Sequence, residues 1–380
     1  MAQCRLTPGD VFKMRGHVPS SSPKSARCEI HFAAGYKETR VKIAKYGPDR
    51  IAAVDQGSEG NEGQLIDLNL ACAARLVAKG EALAYELAAA RVPSDLLRFI
   101  EAGPAALDAA RDALDFVKSK GGDARGPRGE MLAFALGTMP LRSPLPSRAS
   151  KLICMGRNFA SHSAAAEAAR KASGEKLQVP ETSLKPKRPA GFIKFADTVV
   201  GPGEPVIYPS RTRKLDYEVE VALIVGRRGK DIAAGDAMRH AFGYSVFCDY
   251  SARDQASDLE DMNWVRHHKN FDCAAALGPW IVTADEIGDP HALALRSWVN
   301  GELRQDGNTS DMIYRFPRII EYYSVDQTLY PGDLIASGTP MGTGMEKKDG
   351  SWFLKAGDRA EFEVAGIGRF GNPIVPKRAA

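Results

Sequence analysis

The 380-residue chain has no apolar run approaching the ~18 residues that span a bilayer, so no membrane-crossing helix and no membrane partner are expected. Its N-terminus, Met1-Ala-Gln-Cys-Arg-Leu-Thr-Pro8, lacks the apolar core of a secretory leader. Cysteine is sparse. Cys4, Cys28, Cys72, Cys154, Cys248 and Cys273 include no C-x-x-C pair, which excludes zinc-finger spacing and reads as reduced thiols in a cytoplasmic protein. Net charge is also small, +4 with Lys and Arg spread along the chain, so no nucleic-acid partner is expected. The Gly-rich loop Ser337-Gly-Thr-Pro-Met-Gly-Thr-Gly344 lacks the Gly-Lys-Ser/Thr ending of a P-loop, which disfavours a nucleotide site. What remains, 44% apolar and 26% charged residues, is ordinary for a folded globular chain with a substantial core.

Two regions differ in pattern. Residues 1–28 contain a loose, Pro-, Ser- and Lys-rich lead-in. Short strands are expected at 41–46, 50–54 and 64–68. A helix from Leu68 follows, N-capped by Asp67 and ended by Gly80. Further helices are expected from Ala82, after Ser94, and from Gly103-Pro104 with Leu107, Ala110, Leu114 and Val117 on one stripe. These Ala-rich helices read as scaffold. Gly, Pro and charge then cluster over 119–150, as in a connector, and short strands with Gly/Pro turns dominate to the end. The domains expected are therefore 1–145, a smaller α+β unit, and 146–380, β-rich. Within the second, 161–174 reads as a helix and the polar, Pro-rich continuation to 189 as a lid or a plain surface excursion.

The chemistry concentrates in the β-rich part. Leu215 to Gly226 alternates like a strand, which puts Glu218 and Glu220 on one face. Asp249 ends another apolar strand. Three carboxylates from two strands suit a hard divalent ion, Mg2+ or Mn2+; for the two glutamates alone, a solvated acidic face is an equal reading. His162 follows a strand and a Gly turn at the start of the possible lid, as a structural histidine or as a general base with Glu167 the nearest acidic residue to orient it. Lys269, after His267 and His268, would sit by the site and stabilise an oxyanion. The two histidines face opposite ways on an extended chain and do not suit one ion. Lys194 lies in an apolar strand, as a snorkelling stem or a substrate contact. The Gly-rich loop would offer the Gly338 backbone and the Thr339 hydroxyl to a substrate carboxylate, or be a tight turn.

In order along residues 150–375 stand Gly156-Arg-Asn-Phe…His162, Asp216-Tyr-Glu-Val-Glu220, Asp249-Tyr-Ser-Ala-Arg253-Asp, Lys269-Asn-Phe-Asp…Leu277-Gly-Pro-Trp280, Pro331-Gly-Asp333 and Gly338-Thr-Pro-Met-Gly342. Together they resemble the fumarylacetoacetate hydrolase family. The resemblance implies an α+β protein whose C-terminal mixed β-sheets form a roll or sandwich, paired as a homodimer. It implies a divalent metal (Mg2+ or Mn2+, with Ca2+ admitted) on Glu218, Glu220 and Asp249, and a small oxo-acid substrate of the kind met in aromatic catabolism. It implies hydrolytic C–C cleavage of a 2,4-dioxo acid through a metal-stabilised enolate. The alternatives are a decarboxylase, isomerase or lyase on a 2-oxo acid, or a metal-binding protein without catalysis. His162 would be the base, Lys269 and Arg253 the electrostatic stabilisers, and Thr339 a substrate contact. Two positions depart from the family pattern. Ala165 stands where relatives carry the glutamate that orients the histidine, leaving Glu167 for that role. Ala256 stands where they carry a glutamine, leaving Gln255 one residue early as a substrate contact.

Overall fold

A computed structural model of the chain describes residues 41–57, 63–121, 124–173, 187–255 and 264–377, all within one compact unit, Glu38–Ala380. The lead-in, most of the Pro-rich lid segment (174–186) and Ala256 lie outside the described residues.

The chain first forms β1 (Lys42–Tyr46), β2 (Arg50–Asp55) and β3 (Gln64–Asp67), then helices α1 (Leu68–Ala78), α2 (Ala84–Arg91) and α3 (Leu96–Lys120). Asp67 caps α1 as expected, its carboxylate accepting from Leu70 N at 2.8 Å. The cap of α3 is Asp95, not Ser94; Asp95 accepts from Arg98 N at 2.9 Å. The two helices expected around residue 103 are joined end to end within α3. Gly103, at φ 65°, supplies the left-handed residue that breaks the helical run, and Pro104 restarts it.

After two short strands, β4 (Ala133–Ala135) and β5 (Leu141–Arg142), come β6 (Leu152–Met155), helix α4 (Ala160–Ser173), and β7 (Gly191–Lys194), β8 (Val199–Val200) and β9 (Val206–Ile207). The strands β10 (Leu215–Asp216), β11 (Val219–Val225), β12 (Ala241–Asp249) and β13 (Ser251–Ala252) lead to helix α5 (Trp264–Lys269) and β14 (Ala275–Thr283). The rest is β15 (Ala294–Val299), β16 (Glu302–Asn308), helix α6 (Phe316–Ser324), β17 (Leu334–Ala336), β18 (Arg359–Val364) and β19 (Gly368–Val375).

A large sheet runs β4-β3-β2-β1-β14-β12-β11-β17-β6-β7, and a second runs β16-β15-β18-β19-β9. Strands from before residue 145 thus continue the sheet of the later part through the β1–β14 pairing, Lys42 opposite Val282. The sequence patterning carries no mark of that junction.

The large sheet separates two cores. Along β11, Val219, Val221, Leu223 and Val225 face the second sheet, with Phe362 and Phe370 among their neighbours. Ala222 and Ile224 face the helices, in a core with Leu76, Phe99 and Leu114. A central strand buried on both faces reads as a nearly continuous apolar run, as Val219–Val225 does. Two-sided burial also changes the expectation for Glu220. It projects from the helix-side face of that strand and is 1% exposed, so the solvated acidic face is excluded.

Candidate active site

The period of two carries Glu218 and Glu220 to one side of the strand backbone. Phe247 of β12 lies opposite Glu220, and Asp249, two residues on, joins the same face. Ligand oxygens of Glu218, Glu220 and Asp249 all lie within 4.8 Å of one another, and the three residues are buried. Side chains hold this stretch where the ladder runs out. β17 pairs with β11 only from Ala222 to Ile224, so the outer polar groups of Val219 need other partners. Gln305 of β16 accepts from Val219 N at 3.0 Å, and Thr339 Oγ1 donates to Val219 O at 2.9 Å. Gln305 Nε2 in turn donates to Thr339 Oγ1 and to Pro340 O, both at 2.8 Å. The residue between the two glutamates is thereby pinned to the second sheet.

Cations surround the cluster unevenly. Lys269 Nζ donates to Glu218 Oε2 (2.8 Å), Asp249 Oδ2 (2.7 Å) and Ser251 Oγ (2.5 Å). Arg253 donates to Glu218 Oε1 (2.5 Å) and Asp216 Oδ2 (2.8 Å). Burial alone would raise the Glu218 carboxyl, but Arg253 and Lys269 outweigh it and hold the group well below the usual carboxylate range. Glu220 is the contrast. Burial, with Asp249 and Glu218 beside it, pushes its carboxyl well above that range, against one N–H from Gly338 at 2.9 Å and the charge of Lys269. Among the described residues, no ammonium or guanidinium pairs with Glu220. The buried cluster of Asp216, Glu218, Glu220 and Asp249 has one more carboxylate than it has cations in Lys194, Arg253 and Lys269. An all-oxygen donor set in which one buried carboxyl has no cation and favours holding a proton fits a hard divalent cation, which would take that proton's place.

His162 lies in the first turn of α4, 6% exposed, with Ser161 N of the same turn donating to Asp311 at 2.9 Å. Its Nδ1 lies 2.7 Å from Glu346 Oε1. Glu346 belongs to the turn Gly344–Glu346 that leaves the Gly-rich loop, and its Oε2 accepts from Gly342 N at 2.6 Å. With Nδ1–H given to Glu346, Nε2 keeps the lone pair, the form a base requires.

The structure therefore brings together His162, Glu218, Glu220, Asp249, Arg253 and Lys269, and it corrects several other expectations. The carboxylate against His162 is Glu346, not Glu167. Five residues along a helix is a turn of about 140°, so Glu167 leaves α4 from another side. Lys194 is not placed as a substrate contact. It is 1% exposed, and its three N–H groups go to Asp249 Oδ1 (2.6 Å), Tyr250 O (3.3 Å) and Lys269 O (2.5 Å). The Gly338 N–H is taken by Glu220 and the Thr339 proton by Val219 O, so neither donor is open to a substrate carboxylate. Gln255 donates to Arg211 O at 2.8 Å and lines a groove of about 1050 Å3 with Arg211, Arg266 and His267, away from the three carboxylates. His267 and His268 lie on helix α5, not on an extended chain. They still diverge: His268 Nδ1 meets Ala252 O at 2.8 Å and His267 Nε2 meets Arg211 at 3.0 Å. Glu346, Asp216, Ser251 and Gln305 are the residues of the site whose roles sequence reasoning missed. An acid directly after a Gly-rich loop was the one available signal for Glu346.

Residues 151–375 match the family model described as fumarylacetoacetate hydrolase C-terminal. A Bos taurus protein described as mitochondrial oxaloacetate tautomerase FAHD2B is 34% identical over 336 residues, 88% of this chain and 92% of its own. The fumarylacetoacetate hydrolase of psychrophilic Exiguobacterium antarcticum aligns with a TM-score of 0.60 and 27% identity, covering 89% of this chain and 100% of that one. The maleylpyruvate hydrolase of Sphingobium sp. SYK-6, solved with manganese(II) and pyruvate, shares the fold at a TM-score of 0.61 and 24% identity, covering 89% and 100%.

Proposed function

The chain belongs to the fumarylacetoacetate hydrolase family, and on that premise we propose that it is a divalent-metal-dependent enzyme that moves a proton beside the carbonyl of a small 2-oxo acid. The reaction we assign first is keto–enol tautomerisation of oxaloacetate, supported by the activity in the bovine relative's description. The observation that carries the reading is the buried His162–Glu346 pair beside a carboxylate cluster whose Glu220 lacks a cation. Bound at Glu218, Glu220 and Asp249, a hard divalent ion would supply Lewis-acid polarisation of the 2-oxo carbonyl. The chain's own residues do the rest. His162 Nε2 takes the proton from the carbon next to that carbonyl and returns it to the carbonyl oxygen, which completes the enol and restores the neutral ring, and Glu346 holds the ring in the tautomer that leaves Nε2 free. Lys269 and Arg253, paired with Glu218 and Asp249, would add positive charge beside the developing enolate-like oxygen. Burial of the cluster keeps water from screening those charges.

The test is loss of the oxaloacetate enol band with Mg2+ or Mn2+ and with EDTA. Metal-dependent acceleration above the metal-only background supports the reading, and none with metal demonstrably bound contradicts it.

A second reading is hydrolysis of a 2,4-dioxo acid. It is favoured by the same His162–Glu346 pair, which suits activation of water, and by the activity of the Exiguobacterium relative. Cleavage of acetylpyruvate in labelled water separates the two: label in the acid product establishes hydrolysis, and no turnover removes it.

A further inference from the structure

The two halves of the site come from distant segments. The carboxylate cluster rides on β11 and β12, and the base pair rides on α4 and the turn after the Gly-rich loop. Asp216, fully buried, meets both. Its Oδ2 accepts from Arg253 Nε at 2.8 Å, and Arg253 is the residue that grips Glu218. Its Oδ1 accepts from Gly344 N at 2.6 Å and from Tyr217 N at 2.9 Å, and Oδ2 also faces Met345 N at 3.2 Å. Gly344 and Met345 begin the turn that ends in Glu346. A Cβ on Gly344 would stand 2.8 Å from Asp216 Oδ1 and 2.9 Å from Phe353, so the turn approaches this carboxylate as only glycine allows.

We propose that Asp216 is a positioning residue that locks Arg253 against Glu218 and Glu346 against His162 at once, so that the cation cluster and the base assemble as one unit. The proposal rests on the reading of His162 as the base. Asp216 itself has no role in bond making. All four groups that reach it are donors, which only an acceptor-only side chain satisfies. Asparagine keeps the shape but brings an NH2 into that nest. Facing outward one way, it opposes Arg253 Nε; flipped, it opposes Gly344 N. One of the two halves is released either way.

The experiment uses the full chain, Asp216→Asn and Gly344→Ala, each checked for native melting. The first readout is the His162 ring tautomer by 15N NMR. The second is kcat and KM for oxaloacetate with Mn2+. Wild type is expected to show one tautomer, protonated at Nδ1, and both variants a mixture. The kcat should fall about a hundredfold, the scale of a misplacement near 1 Å, with KM changing less. A folded Asp216→Asn with the wild-type tautomer and wild-type kcat overturns the proposal. If Asp216→Asn does not fold, Gly344→Ala decides, and a wild-type His162 signal there overturns it equally. The tautomer readout needs no substrate, so it judges Asp216 even if oxaloacetate proves not to be the substrate.

Discussion

Replacing Glu346 by glutamine keeps the shape of the side chain and removes its charge. One carboxylate oxygen accepts from His162 Nδ1 at 2.7 Å and the other from Gly342 N at 2.6 Å. The amide of glutamine offers one acceptor and one donor group to these two donors. If the oxygen faces His162, the NH2 is driven against Gly342 N. If the NH2 faces His162, Nδ1 must accept and the proton moves to Nε2, where the base needs its lone pair. In the first case the loss is that of a charge-assisted hydrogen bond, about 1.5–3 kcal/mol. At 1.36 kcal/mol per decade this is about ten- to a hundredfold in rate. In the second, the wrong tautomer behind a catalytic histidine costs about 10⁴-fold. The kcat for oxaloacetate tautomerisation in Glu346→Gln should therefore fall by at least about tenfold and at most about 10⁴-fold. Affinity for Mn2+, measured by calorimetry, should stay within about threefold, because Glu346 is not one of the clustered carboxylates. A kcat within about twofold of wild type, in a background where His162→Ala is inactive, would refute the orienting role.

Three other substitutions probe the rest of the arrangement. Glu220→Gln removes the buried carboxylate that lacks a cation, so the metal-free melting temperature should hold or rise while the Mn2+-induced increase disappears; a lower metal-free melting temperature would contradict the charge count. Lys194→Met leaves Asp249 Oδ1 and two carbonyls unpaired in the interior, so urea unfolding should show a loss of about 3–5 kcal/mol; an equally stable variant with only a raised KM would return Lys194 to a substrate role. Gln305→Leu frees Val219 between the two glutamates, and Mn2+ affinity should drop by about tenfold, the usual cost of losing a group that orients metal ligands; unchanged affinity would show the strand holds itself.

How much of this was legible in the sequence depends on whether the information was local. Glu218 and Glu220 share a face because strands have period two, and Asp249 followed from the next apolar strand. Asp67 as a cap and the helix over 160–173 were readable for the same reason. Glu346 was not, since it meets His162 across 184 residues and no spacing rule spans that interval. Proximity along the chain points instead to Glu167, which helix geometry turns to another side. Lys194 reads as a snorkelling stem or a substrate contact because its apolar neighbours are visible in sequence while its three converging acceptors are not. The same holds for Thr339, which looked like a free hydroxyl on a loop until the ladder of β11 was seen to end beside it. The joining of β1 to β14 is a pairing choice between two apolar strands, and either edge fits the pattern.

If His162 moves the proton in a site whose cation other residues hold, the two functions separate when Mn2+ binding and oxaloacetate tautomerisation are measured side by side in wild type and His162→Ala. The variant should keep wild-type Mn2+ affinity, with tautomerisation reduced to the rate of Mn2+ alone. Full tautomerisation by metal-loaded His162→Ala would contradict this and transfer the base role to another group.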